Sequence, residues 1–176
     1  MPKVLENPRE QILSEARKQL FEAGYLKTTI RSVAQRCGFG TGTVYNYFDS
    51  KDTLISAVLL EDWHRYTAKM KELDSSDRIG FLEGVSKLLR EFYEGYIFLF
   101  NDNYAQAASR GVSSDRHLQL RAVIADIILP VCRGVGRIDD AFLAAHIAEA
   151  LLAWTAEAIP FEKQKTILNK LIDPSL

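Results

Sequence analysis

Residues 37–54, CGFGTGTVYNYFDSKDTL, set three glycines, three threonines and two tyrosines between stretches with the periodicity of amphipathic helix. A core helix would fill such positions with strong helix formers, and a plain linker would not carry Val44, Tyr45, Tyr47 and Phe48. The segment is thereby limited to a tight connection followed by a short helix with one apolar face. Val44 and Phe48, four apart, are expected to point inward, leaving the polar groups on the other side.

The flanking sequence is helical on both sides. In NPREQILSEARKQLFEAG, Asn7 suits an N-cap, Pro8 the first helical position and Glu10 a capping box; Ile12, Leu13, Ala16, Leu20 and Ala23 form a stripe that Gly24 ends. A second helix starts at Thr28 or Thr29 and carries Ile30, Val33, Ala34 and Cys37 at i, i+3, i+4 and i+7, with Gly38 closing it. Only Gly38 to Gly40 separate it from the next helix, which is the connection length of a helix-turn-helix. Ser50 suits the cap of a long fourth helix over 51–73, and DSSD at 74–77 reads as a linker.

Beyond residue 77 the pattern stays helical. Two helices are expected over 79–94 and 96–109, parted near Gly95, then one from Ser113 or Ser114 toward Cys132, with Pro130 a kink or an end. A very apolar helix follows over 139–159, ended by Pro160, and a short one over 161–172. The expected architecture is all-α with about nine helices. It comprises a helix-turn-helix head in residues 1–50, the connecting helix 51–73, and a helical domain over 74–176.

Bulk properties narrow the function. The chain of 176 residues is 47% hydrophobic with a net charge of −1, so it can bury a core and is not a general nucleic-acid coat. Its charge is uneven. Residues 1–51 hold eight Lys/Arg against five Asp/Glu, a balance of +3, whereas residues 52–176 hold fourteen against eighteen, a balance of −4. No apolar run reaches the length of a spanning helix and MPKVLENPRE is too charged for a signal peptide, so a cytoplasmic chain without a membrane segment is expected. Cys37 and Cys132 have no CxxC partner and read as small apolar residues.

A helix that reads DNA needs short polar side chains on its first turn, so that its backbone can approach base edges and phosphates, and a packed opposite face. Gly40 and Gly42 permit that approach. Thr41, Thr43 and Asn46 offer hydrogen-bonding groups, Tyr45 and Tyr47 offer hydroxyls, and Lys51 adds a charge just beyond. Thr28 and Thr29 stand at the positive end of the second helix, which suits a phosphate. A tight helical hairpin inside an unrelated bundle would fit the same residues.

From Arg9 to about Leu59 the order ILSEARKQLFEAGY, TTIRSVAQRCG, FGTGTVYNYF, DSKDTL resembles the tetracycline-repressor-like (TetR) family of bacterial transcriptional regulators. The resemblance implies that Thr28, Thr41, Gly42, Thr43, Tyr45, Asn46, Tyr47 and Lys51 stand where family members commonly touch an operator in double-stranded DNA. Gly40 departs from the pattern, since many members have Ser there. The resemblance further implies a ligand-responsive regulator, a repressor in the first instance, that dimerises through its last two helices. Leu151, Leu152 and Ile159 are the candidate seam residues, and no cofactor is expected. For a small, largely apolar effector the candidate contacts are Phe92, Tyr96, Phe98, Asn101, Tyr104 and Trp154, with Asn103 and Gln106 able to orient a polar group.

Three rivals compete with this reading. Glu61 and His64 form an E-x-x-H pair of the kind duplicated in di-iron bundles, and His146 with Glu149 gives the reverse order, but one copy without further carboxylates favours solvated helix faces. His117 beside Asp115 and Arg116 reads as a surface charge cluster, and no nucleophile elbow, Walker loop or dinucleotide fingerprint is present. A helical interaction module that has lost DNA binding is disfavoured by intact Thr43, Tyr47 and Lys51.

Overall fold

The computed structural model describes residues 7–101, 113–135 and 139–172. Among these residues are eight helices and no strand: α1 (Pro8–Lys27), α2 (Ile30–Cys37), α3 (Thr41–Tyr45), α4 (Lys51–Lys71), α5 (Arg78–Asn101), α6 (Ser113–Cys132), α7 (Asp140–Ala156) and α8 (Phe161–Ile172). The backbone forms two compact units, Met1–His64 and Arg65–Leu176, so the division falls inside α4 and at neither of its ends.

In the first unit, Ile12, Leu13, Ala16 and Leu20 of α1 are buried with Val33 and Ala34 of α2 and Val44 of α3, whereas Ala23 is exposed. Asn7 does not cap α1 with its side chain. It adopts a left-handed conformation (φ 47°), and its carbonyl accepts from the Gln11 amide at 3.2 Å. Gly24 interrupts α1 at φ 80°, ψ 170°, a region open essentially to glycine alone. The capping box falls one helix later: the Thr29 hydroxyl accepts from the Ser32 amide, and the Thr29 amide donates to the Ser32 hydroxyl, both at 3.0 Å. Gly38 then ends α2 in the left-handed region at φ 70°, which turns the chain into α3 within three residues.

In the second unit, α5 packs against α6, α7 and α8, and the most extensive contact is between α6 and α7. The break expected at Gly95 is absent, because α5 runs continuously from Arg78 to Asn101. One glycine in a helix costs about 0.5–1 kcal/mol relative to Ala, and the burial of Leu89, Tyr96 and Leu99 along the same helix outweighs it. Pro130 is likewise accommodated within α6, two residues before its end at Cys132. The remainder of the segment expected over 96–109 lies outside the described residues.

Buried polar groups hold the end of the bundle together. Gln164 is 1% exposed; its amide donates to the Ile159 carbonyl at 2.8 Å and its oxygen accepts from Ser86 at 3.2 Å, while Arg90 donates to the same carbonyl at 2.7 Å. Ile159 owes its place to Ala158, which takes the left-handed conformation (φ 55°) after α7 and lets the Ile159 amide reach back to the Trp154 carbonyl at 2.9 Å. The helix thus stops before Pro160 by a backbone motif.

Candidate nucleic-acid interface

The α2–α3 connection determines what the first unit presents to solvent. Gly38 reverses the chain, and Gly40, in extended conformation, accepts from the Thr43 amide at 3.0 Å, starting α3 without a side-chain cap. The helix lasts only to Tyr45; the Tyr47 and Phe48 amides both return to the Val44 carbonyl at 3.0 Å, forming a turn that drives Phe48 inward. Val44 is 0% and Phe48 3% exposed, against 53% for Tyr45 and 44% for Tyr47. Thr41, Gly42 and Asn46 are exposed on the same side, and Thr43 is half-buried. Space above Gly42 is open, with nothing within 4 Å of where a Cβ would stand, so packing does not demand glycine there.

Thr28 does not join this surface. Its side chain is fully buried and its hydroxyl donates to the Gly24 carbonyl at 2.9 Å, so its role is to fasten the bend at Gly24 within α1. Thr29 is exposed but engaged in the capping box. That box is buttressed from α1: the Ser32 hydroxyl donates to Gln19 Oε1 at 2.6 Å, and Gln19, 4% exposed, donates to Glu15 at 2.8 Å. Lys51 is half-buried, its ammonium donating to the Tyr25 carbonyl and lying 3.8 Å from the centre of the Tyr25 ring.

Arg31 was not anticipated. It is exposed in the first turn of α2, where no acidic residue stands, and among the described residues it makes no ion pair. A cation at this end of a helix opposes the macrodipole, and that local cost is the sequence signal that singles it out. Arg36, one turn further, is committed to Glu15 and Glu22, each at 3.4 Å.

The other candidates scatter. Tyr96 is 2% exposed and Phe92 half-buried, their rings 5.1 Å apart, with Tyr66 edge-on to Phe92 at 5.5 Å. Trp154 is half-buried, Tyr104, Asn103 and Gln106 lie outside the described residues, and so do the side chains of Phe98 and Asn101. Leu151 is fully buried beside Leu143, Ala144, Ile147 and Ala148 on the inner stripe of α7, so it cannot serve as an outward seam residue; Leu152 and Ile159 are half-buried. The rival metal ligands are engaged otherwise. Glu61 pairs with Arg17 at 2.8 Å, His117 sits 2.9 Å from Glu149, and among the described residues no group of three His, Cys, Asp or Glu could hold a metal ion. Among them, too, no helix is long and apolar enough to cross a membrane.

The sequence profile of bacterial regulatory proteins of the tetR family matches residues 12–58, from α1 into α4. Over residues 12–58 the chain is similar to the tetR family. It is similar to the HTH-type transcriptional regulator UidR of Escherichia coli (34% identity, over 36% of this chain and 33% of UidR). It is similar also to the HTH-type transcriptional repressor Rv1474c of Mycobacterium tuberculosis (40% identity, over 39% of this chain and 38% of the repressor). The match thus spans about a third of the length of these relatives. A crystal structure of a TetR-family transcriptional regulator from Pectobacterium atrosepticum superposes with a TM-score of 0.61 at 22% identity, over 84% of this chain and 79% of that one, which extends the likeness of fold into the second unit.

Proposed function

We propose that this chain is a DNA-binding transcriptional repressor of the tetR family and not an enzyme. In this reading it acts in the cytoplasm, where it binds a two-fold symmetric operator as a homodimer and is controlled by a small, largely apolar effector. The observation that carries the reading is the two-sidedness of α3: Val44 and Phe48 are sunk into the first unit, while Tyr45, Tyr47, Thr41 and Asn46 stand out beside an unobstructed Gly42. A short helix of this kind enters a major groove with its backbone close to the bases. Thr43 and Asn46 are assigned to base edges; Thr29, Arg31, Tyr47 and Lys51 to phosphates, which position the head without reading sequence.

Dimerisation is supported by the outer stripe of α7, where Phe142, Ala145, Leu152, Ala153 and Ala156 recur at helical spacing, and by Ile167 and Leu171 of α8, 49% and 37% exposed. The Tyr66–Phe92–Tyr96 cluster supports an apolar effector. Such a molecule would lower DNA affinity only by favouring a conformation with wrongly spaced heads, and linkage then requires DNA to weaken the effector equally.

Selection from a pool of randomised duplexes tests the reading. The wild-type chain should enrich a near-palindromic sequence, Thr43→Ala and Asn46→Ala should relax it at particular positions by about 1–3 kcal/mol per contact, and Tyr47→Phe should weaken all sequences alike. No enrichment over the starting pool would sink the proposal.

A further inference from the structure

The first residues of α4 meet the end of α1 in an arrangement of three side chains, Tyr25, Lys51 and Asp52. Gly24 bends the chain, and the bend is fastened because both the amide and the hydroxyl of Thr28 donate to the Gly24 carbonyl, at 3.2 and 2.9 Å. The turn carries Tyr25 inward until it is 8% exposed. Its hydroxyl donates to the Asp52 carboxylate, which fixes the far end of the ring, and its backbone carbonyl accepts from the Lys51 ammonium. That ammonium lies over the ring face, 3.8 Å from its centre, where the ring quadrupole attracts a cation.

We propose that Tyr25 is a positioning residue for DNA binding, holding the Lys51 ammonium pre-oriented toward a backbone phosphate. The proposal rests on the DNA-binding reading above and deepens it. A free lysine has four rotatable side-chain bonds and loses much rotamer freedom when it is pinned by a ligand. Here the aromatic face and the carbonyl take up that ordering before DNA arrives. An ammonium has three donors, so the bond to Tyr25 is compatible with one to a phosphate oxygen, and Lys51 remains half-exposed to receive it. Asp52 holds the far end of the ring by accepting a hydrogen bond from the phenol hydroxyl.

Salt dependence separates positioning from mere support of the fold, since each phosphate neutralised contributes about 0.9 to the slope of log Kobs against log salt. On a duplex enriched by the wild-type chain, Lys51→Met should flatten the slope by about 0.9. Tyr25→Leu, with the lysine intact, should flatten it by a similar amount, and the double variant no further. A structural role alone would lower thermal stability in Tyr25→Leu while leaving the slope of the folded fraction at the wild-type value, and that result would overturn the proposal, as would additive losses in the double variant. If Tyr25→Leu does not fold, the wild-type protein still decides: the Lys51 ε-methylene protons should resonate upfield of random-coil values through the Tyr25 ring current, both free and on DNA. Random-coil shifts in either state refute pre-orientation. A wild-type chain that selects no duplex refutes the underlying reading as well. Selection by the wild type with a slope unchanged in Lys51→Met overturns the positioning role alone.

Discussion

The Arg17 guanidinium donates through Nε to the Asp62 carboxylate at 2.9 Å and through Nη2 to Glu61 at 2.8 Å, joining α1 to α4 inside the first unit. Asp62 is only 4% exposed, so the pair is largely withdrawn from water on the carboxylate side. Arg17→Met should destabilise the first unit by about 1.5–3 kcal/mol, the range for hydrogen bonds made to charged groups. Urea unfolding followed by Trp63 fluorescence in a Trp154→Phe background measures this, and an unchanged midpoint would show that the pair contributes nothing.

Gly42 separates fold from function most cleanly. A glycine inside a helix is less favourable than Ala by up to about 1 kcal/mol, and a Cβ at Gly42 meets nothing. Gly42→Ala should therefore raise the melting temperature while lowering DNA affinity, because the added methyl stands where the groove must come close. Improved stability with undiminished binding would remove Gly42 from the interface.

Ala158 pays for its left-handed conformation, which disfavours a residue with a Cβ. Ala158→Gly should stabilise the chain by about 0.5–1 kcal/mol, read as a higher denaturant midpoint at constant slope. The Ile159 carbonyl that serves Arg90 and Gln164 would stay in place.

Burial pushes the Cys132 thiol up from its ordinary 9.0 to about 11, helped by the Asp140 carboxylate and opposed by Arg78. Below pH 9 the thiol is protonated in both folded and unfolded chains, and its contribution to stability is fully present. Between 9 and about 11 the unfolded chain releases the proton and the folded one does not, so stability falls as pH rises. Denaturant midpoints across that window should drop less in Cys132→Ala than in the wild type.

Where the sequence was legible, short-range physics decided the outcome. Gly38, the Val44/Phe48 spacing and the polar face of α3 follow from backbone freedom and a helical period, and the structure shows each of them. Thr28 and Thr29 look alike in sequence, yet the bend at Gly24 buries one and leaves the other as cap, a distinction only tertiary packing makes. Leu151 and Leu152 are neighbours in an almost wholly apolar helix, where pattern cannot say which faces the core. Gly95 illustrates the opposite error, a local propensity overridden by the burial of its helix. Tyr25 gave no sign of its place beneath Lys51, because their meeting spans 26 residues and two helix ends.

Backbone amide chemical-shift mapping of the chain of 176 residues with a duplex it selects tests whether the exposed face of α2 and α3 contacts DNA. The largest shifts should fall on Thr29 to Ser32 and Gly40 to Tyr47, with buried Val33 and Ala34 moving less. Binding that leaves those amides in place and perturbs residues 78–172 instead would contradict it.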